Sequence, residues 1–341
     1  MKYLLLSLLF FSCAKFAYIS EQGLGQVALE YNDIDNDDFI KDPNQSKVHK
    51  EKVLLIEKAK TYFYKYFDLE QVSIYDEVKI LDQKAVTYLV IHAPINEVRA
   101  IETSFPLVGS FPYLGFFSIK SAKEFKQEKE EQGFHTYLRP VYAYSTLNHP
   151  LWPFDDNILS SFFYYKDKDL VELIFHELVH TVLFVGDNVE FNENIAQFIA
   201  AQLVKDYFQY NQLELEKLKQ LNLKKKEINM LITQSSKELN LLYQGNDDAP
   251  QVMNKYLKNI FIPNIKKQCQ KLSLAKCWPL TEQWNNARFA AFGTYEAKQD
   301  LLAEIYIKSK LGLKKYVLKL IHLAKKHNKK EDFLKMLAKE M

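Results

Sequence analysis

Residues 175–184 read FHELVHTVLF, and this stretch constrains the chain more than any other. His176 and His180 are four residues apart, so on a helix they share a face with Cβ atoms about 6 Å apart. Imidazoles at that spacing can both bind one zinc ion, at about 2.1 Å. Glu177 follows the first histidine, as in the H-E-x-x-H arrangement of zinc peptidases, where the glutamate is the general base. The alternative is an apolar helix that carries polar residues by coincidence, but buried polar groups without partners are costly.

A catalytic zinc site has three protein ligands and a water molecule, so a third ligand is needed. The extended pattern H-E-x-x-H-x-x-G-x-x-H fails here at its glycine and at its third histidine. The next segment, VEFNENIAQF (189–198), offers Glu190 and Glu193. We favour Glu193 because it begins a predicted helix on which Ala196 and Ala200 permit close approach to the first helix. Glu190 precedes that helix and is less well fixed.

This ligand set predicts one Zn²⁺ per chain and a water-activating role for Glu177. In the second helix, Asn192 is a candidate for the N-cap. Gln197, one turn further on, is a candidate hydrogen-bond partner of the ligands. A structural zinc site is the weaker interpretation, because such sites have four protein ligands that are rich in cysteine.

The remaining pattern predicts a mostly α protein with a small β-sheet, an α+β fold in a single domain over residues 13–341. Strand-like, β-branched or turn-rich sequence occupies the middle third, about 85–146, including 85–94, 104–117 and 136–146. Apolar residues at helical spacing predict helices at 22–31, 46–68, 119–132, 169–184, 192–210, 213–242, 249–270, 283–310 and 312–340.

Composition excludes several functions. The chain has only 9 glycines in 341 residues and contains no glycine-rich phosphate loop. Its net charge is +2, with the lysines spread over helical stretches, and it has no nucleic-acid-binding motif. We therefore expect no nucleic-acid partner.

The first residues, MKYLLLSLLFFSC, predict an export signal. The apolar run is shorter than the roughly 20 residues that span a bilayer, and it fits a signal peptide over residues 1–12. Ser12-Cys13 resembles the bacterial lipoprotein signal, in which the cysteine is lipidated. The protein would then be anchored by lipid to a bacterial membrane, facing the periplasm or the exterior. A plain signal peptide with a chance cysteine is the alternative.

Two further cysteines, Cys269 and Cys277, are eight residues apart. An exported protein works where disulfides persist, so these two residues are a candidate disulfide. Two free buried thiols are the alternative, because sequence alone does not fix the pairing.

HELVHTVLF followed by FNENIAQF resembles the putative aminopeptidase family of bacterial zinc-dependent proteins, which is gluzincin-like in its ligand set. Further blocks resemble that family in the same order: FPLVGSFPYLGFFS (105–118), RPVYAYSTL (139–147), DDNILSSF (155–162) and NNARFAAFGTY (285–295). The resemblance implies a zincin-like metallopeptidase fold, aminopeptidase activity and a peptide or protein substrate. Tyr144 and Tyr295 lie in these blocks. Tyr144 is the candidate catalytic hydroxyl that would stabilise an oxyanion.

Two other functions stay open at this stage. One is an endopeptidase, which would cleave internal bonds with the same metal site. The other is a catalytically silent, membrane-anchored binding lipoprotein on the same fold. The intact set of His176, Glu177, His180 and Glu193 argues against the silent form, because a scaffold has no chemical need for the base.

Overall fold

The helices dominate the part of the chain that the structure, a computed structural model, describes: residues 18, 21, 25, 33–105, 109–143, 156–186, 189–292, 299–326, 333 and 336. The α-helices assigned there are α1 (Asn36–Lys41), α2 (Lys47–Phe67), α3 (Ile119–Glu131), α4 (Asp167–Val182), α5 (Val189–Tyr207), α6 (Gln212–Tyr243), α7 (Ala249–Tyr256), α8 (Ile262–Lys271), α9 (Asn286–Phe292), α10 (Gln299–Ser309) and α11 (Leu313–Lys326).

The strands are short and form small sheets. They are β1 (Ile34–Asp35), β2 (Glu77–Lys79), β3 (Thr87–Ala93), β4 (Thr103–Phe105), β5 (Gly109–Phe111), β6 (Leu114–Phe116), β7 (His135–Val141) and β8 (Ile158–Leu159). A mostly helical chain with small sheets is consistent with the predicted α+β class.

Contacts between Cα atoms divide the chain into two units. The first unit comprises Met1–Ala28, Thr87–Val141 and Leu213–Tyr295. The second unit comprises Leu29–Val86, Tyr142–Gln212 and Glu296–Met341. The single domain over residues 13–341 stays a prediction.

The first unit is built around β3, which pairs antiparallel with β6 and with β7. Alternate residues of a strand point to opposite faces. On one face His92 contacts Phe125 of α3, and on the other Ile91 packs in a cluster with Ala287 of α9. A disulfide joins Cys269 to Cys277 in this unit.

The second unit is built around α4, which packs against α2 and α5. Phe175 of α4 is fully buried and contacts the rings of Phe63 and Tyr207. Helices α10 and α11 cover α5, and α11 also packs against α2. A mixed sheet accompanies the helices, in which β2 pairs antiparallel with β1 and parallel with β8.

Most predicted elements correspond to observed ones. The predictions at 46–68, 119–132 and 213–242 correspond closely to α2, α3 and α6, and those at 85–94 and 136–146 correspond to β3 and β7. Of the predicted helix 22–31, the structure describes only Gly25, which is helical.

The predicted helix 249–270 is helical throughout, with a π-helical turn at Leu257–Phe261 between α7 and α8. Pro263 has no N–H group to bond the carbonyl one turn earlier. The N–H of Ile262 bonds the carbonyl of Leu257 instead, which widens the turn. The predicted helix 283–310 was wrong at its start, since α9 begins at Asn286 after a 3₁₀ turn at Trp278–Thr281. Residues 293–298, between α9 and α10, lie outside the described residues.

Candidate metal centre

Helix α4 holds His176, Glu177 and His180 in a buried setting. Asp167 and Asp169 in its first turn complement the positive end of the helix dipole. Its apolar residues are buried and fix its orientation: Leu170, Val171, Ile174, Phe175, Leu178 and Val179. The two imidazoles therefore emerge from a rigid helix, with their Nε2 atoms 3.2 Å apart.

Helix α5 brings Glu193 to the same point. Glu193 Oε2 lies 3.3 Å from His176 Nε2, and Oε1 lies 3.6 Å from His180 Nε2. Ala196 and Ala200 of α5 are fully buried, and such small side chains let two helices approach closely. The side chain of Glu193 is 58% exposed while the two imidazoles are 15% and 10% exposed, so the donor atoms lie at the boundary with solvent.

The three donor groups fit a metal ion. A tetrahedral ion with ligands at about 2.0–2.1 Å holds its donor atoms about 3.3–3.4 Å apart, close to the three separations in this cluster. The buried Nδ1 atom of His176 has no hydrogen-bond partner among the described residues. The Nε2 atoms of both histidines face the carboxylate, so they are the atoms available to a metal. His176, His180 and Glu193 could therefore hold one ion.

The same cluster shifts the pKa values of its members in opposite directions. Burial disfavours a charged His176, but the hydrogen bond with Glu193 and the charge of Glu177 outweigh it and raise the His176 pKa. Burial, together with the charge of His176, lowers the pKa of His180 to about 4. The hydrogen bond from His176 lowers the pKa of Glu193. At neutral pH His180 is uncharged and Glu193 is ionised, which are the forms that bind metals.

Glu177 lies on α4 beside the ligands and is only 9% exposed. It neighbours Tyr75, whose pKa is raised well above its ordinary value by burial and then by the charge of Glu177. Tyr75 has a left-handed backbone, with φ 59°, which is uncommon for a bulky residue. Its N–H donates to the Asp156 carbonyl and its own carbonyl accepts from Asn36 Nδ2, at 2.8 and 2.9 Å. These bonds hold a strained residue beside Glu177.

The structure bears on two predicted supporting roles, and the N-cap role of Asn192 was wrong. Asn192 does not cap α5, which begins at Val189. Its buried side chain instead bonds both the N–H and the carbonyl of Val185, at 2.9 Å each, and so fixes the turn between α4 and α5. Gln197 Nε2 donates to Glu172 Oε1 at 3.0 Å, and Glu172 lies one turn before His176 on α4.

Sequence reasoning missed Glu172 and Tyr75. Glu172 stands four residues before His176, so its position on the ligand face of α4 was readable from the spacing. No sequence signal connects Tyr75 with Glu177, since about a hundred residues separate them.

Several candidates lie outside the described residues: Cys13, Tyr144, Tyr295 and the side chain of Glu190. The disulfide between Cys269 and Cys277 is the pairing considered for those two residues. No helix among the described residues is long and apolar enough to cross a membrane.

The candidate metal site consists of two histidines and one glutamate on two neighbouring helices. The chain belongs to the putative aminopeptidase family, whose model matches residues 17–334. Comparison with curated proteins and with solved structures gave no match.

Proposed function

We propose that this chain is a zinc-dependent aminopeptidase with a zincin-like fold. The observation that carries the proposal is the convergence of His176, His180 and Glu193, with Glu177 next to a ligand on the same rigid helix. A His₂Glu donor set with room for a water molecule is the ligand set of catalytic zinc sites. Membership of the putative aminopeptidase family supports a peptide substrate.

In this proposal each residue has one task. His176, His180 and Glu193 hold the ion. A bound zinc ion makes its water more acidic and polarises the scissile carbonyl. Glu177 accepts the proton of the attacking water and passes it to the leaving amine. Burial of Glu177 keeps its carboxylate in place for both transfers.

The assignment is tested with zinc content and activity measured together. The protein should bind about one zinc ion per chain, and Glu177→Gln should keep the zinc while activity falls about 10²- to 10⁴-fold, the usual contribution of a general base. Glu193→Gln should weaken zinc binding, and Glu190→Gln is the matched control that should not. Loss of zinc only in the Glu190 variant would reject Glu193 as the third ligand.

The choice between aminopeptidase and endopeptidase needs a matched peptide pair, one with a free N-terminus and one acetylated. An aminopeptidase cleaves only the free peptide. Cleavage of both at the same internal bond would identify an endopeptidase. Bound zinc with no cleavage in a peptide library would instead support a silent binding lipoprotein.

Two smaller assignments belong to the same proposal. Tyr144 donates its hydroxyl to the developing oxyanion, so Tyr144→Phe should lower kcat with little change in KM. Cys13 carries the lipid anchor, so Cys13→Ala should move the protein from the membrane fraction to the soluble one. A membrane-bound Cys13→Ala protein would show that the anchor lies elsewhere.

A further inference from the structure

The ligand face of α4 and the facing side of α5 continue beyond the metal cluster. Side chains four residues apart lie one above another on a helix. On α4 the residues Glu172, His176 and His180 follow each other at that spacing, and on α5 the residues Glu193 and Gln197 do the same. Glu193 contacts the two histidines, and Gln197 contacts Glu172, so the two helices run antiparallel. Each level of contacts between them is called a rung: the first is Glu193 with the histidines, and the second is Gln197 with Glu172.

At the second rung, each oxygen atom of the Glu172 carboxylate has its own partner. Oε1 accepts from Gln197 Nε2 at 3.0 Å, and Oε2 pairs with Lys168 Nζ at 2.6 Å. The side chain of Glu172 is 22% exposed, whereas Gln197 and its hydrogen bond to Glu172 are exposed to solvent. Lys168 orients the carboxylate along α4, and Gln197 connects it by a hydrogen bond to α5, where the charge of Lys205 also acts on it.

We propose that Glu172 and Gln197 are positioning residues, whose hydrogen bond sets the place of Glu193 relative to His176 and His180. The inference rests on the proposed zinc site. Glu193 and Gln197 are one turn apart on a single helix, so a shift of Gln197 away from α4 carries Glu193 with it. The side chain of Glu193 is 58% exposed, and the Asn192 bonds to Val185 hold α5 just before it. The Gln197–Glu172 bond holds α5 one turn after it. Groups that orient a metal ligand in this way change metal affinity by about 10- to 100-fold.

Gln197→Glu tests the rung because a loss of positioning and a gain of negative charge should change zinc affinity in opposite directions. The variant places a second carboxylate against Glu172, and like charges at hydrogen-bond distance repel. If the rung positions Glu193, zinc affinity falls about 10- to 100-fold. An added negative charge near the ion, acting alone, would instead strengthen zinc binding. The measurement is competition between the protein and a colorimetric zinc chelator.

The double variant Glu172→Gln with Gln197→Glu exchanges donor and acceptor. The glutamine at 172 can donate to the glutamate at 197, and net charge equals that of the natural chain. We expect it to recover most of the affinity that Gln197→Glu loses. If Gln197→Glu does not fold, Gln197→Met removes the hydrogen bond without repulsion and should still weaken zinc binding.

Gln268→Glu is the matched control, because Gln268 Nε2 donates to Glu227 Oε2 at 2.6 Å between α8 and α6 of the first unit. This control should leave zinc affinity unchanged. Natural zinc affinity in Gln197→Glu, or a double variant no better than the single one, would overturn the inference and leave the zinc site standing. Absence of zinc from the natural protein would overturn both.

Discussion

Each unit contains buried histidines, and their surroundings differ. In the second unit, His176 and His180 face the carboxylate of Glu193. In the first unit, His92 lies edge-on to the rings of Phe125 and Phe134. Burial lowers the pKa of His92, and the charge of Lys129 lowers it further, while Glu128 offsets only part of this. Burial also lowers the pKa of His135.

The difference shows why burial alone does not mark a functional histidine. An aromatic setting with a nearby cation keeps His92 neutral and makes it a core residue. A carboxylate aimed at two imidazole nitrogens keeps a proton or a metal ion at His176. A histidine that could bind an ion is therefore recognised by the acceptor group that faces it and by other donor groups that converge on the same point.

The largest expected effect is on zinc binding. His176→Ala should weaken zinc binding by more than about a hundredfold, because even groups that only orient a ligand contribute about 10- to 100-fold. His92→Ala removes an imidazole of similar burial from the first unit and should keep full zinc affinity. It should lower the free energy of unfolding by about 0.5–3 kcal/mol, the common range for substitutions. Competition with a chelator and urea unfolding measure the two effects. Equal zinc loss in both variants would contradict the difference proposed between His176 and His92.

An intermediate effect is expected on the pH dependence of stability in the metal-free protein. The pKa of His176 is raised in the folded protein, so this histidine stabilises the fold at pH values below its unfolded pKa of about 6.5. That stabilisation is lost as pH rises through the folded pKa. The pKa of His92 is lowered, so the unfolded chain takes up a proton that the folded chain does not, and stability falls as pH drops below about 6.5.

Urea midpoints between pH 5 and pH 8, in the presence of a chelator, test this difference. His176→Gln should flatten the loss of stability above about pH 6.5. His92→Phe should flatten part of the loss below it, where His135 and His180, whose pKa values are also lowered, contribute as well. The same pH profile in both variants would contradict the opposite signs.

The smallest effect is expected from the charged neighbour of each histidine. In the metal-free protein, Glu193→Gln should lower the pKa of His176, because a favourable negative charge is removed. Lys129→Met keeps the apolar stem but removes the cation, and should raise the pKa of His92. Histidine proton titrations by NMR measure both shifts, and shifts of the same sign would argue against this account.

Much of the candidate metal cluster was predictable because its residues are close together in the sequence. The four-residue spacing of His176 and His180 fixes their shared face, and Glu193 lies in the next helix after a short turn. The long amphipathic pattern of 46–68 gave α2 for the same reason. The mixed sheet of β1, β2 and β8 was not predictable, since Ile34, Val78 and Ile158 pair across long stretches of chain and their strands are too short to show a period.

The supporting contacts were harder to predict than the ligands. Asn192 is near the start of α5 and has the chemistry of a cap, but tertiary packing directs it to the backbone of Val185. The left-handed backbone of Tyr75 depends on partners at Asn36 and Asp156, which no local pattern brings together.

The interleaving of the two units along the chain has a consequence for biosynthesis. The second unit takes its last stretch, Glu296–Met341, from the end of the sequence, and this stretch supplies α10 and α11, which cover α5. As the chain emerges from the ribosome, the first unit receives its final segment before the second does. The helix pair that holds the candidate metal ligands therefore waits for α10 and α11, which are translated after the first unit is complete, before its core is closed. A truncation after α9 leaves the ligand motif in the sequence but exposes the apolar side of α5, which favours capture by chaperones and proteolysis.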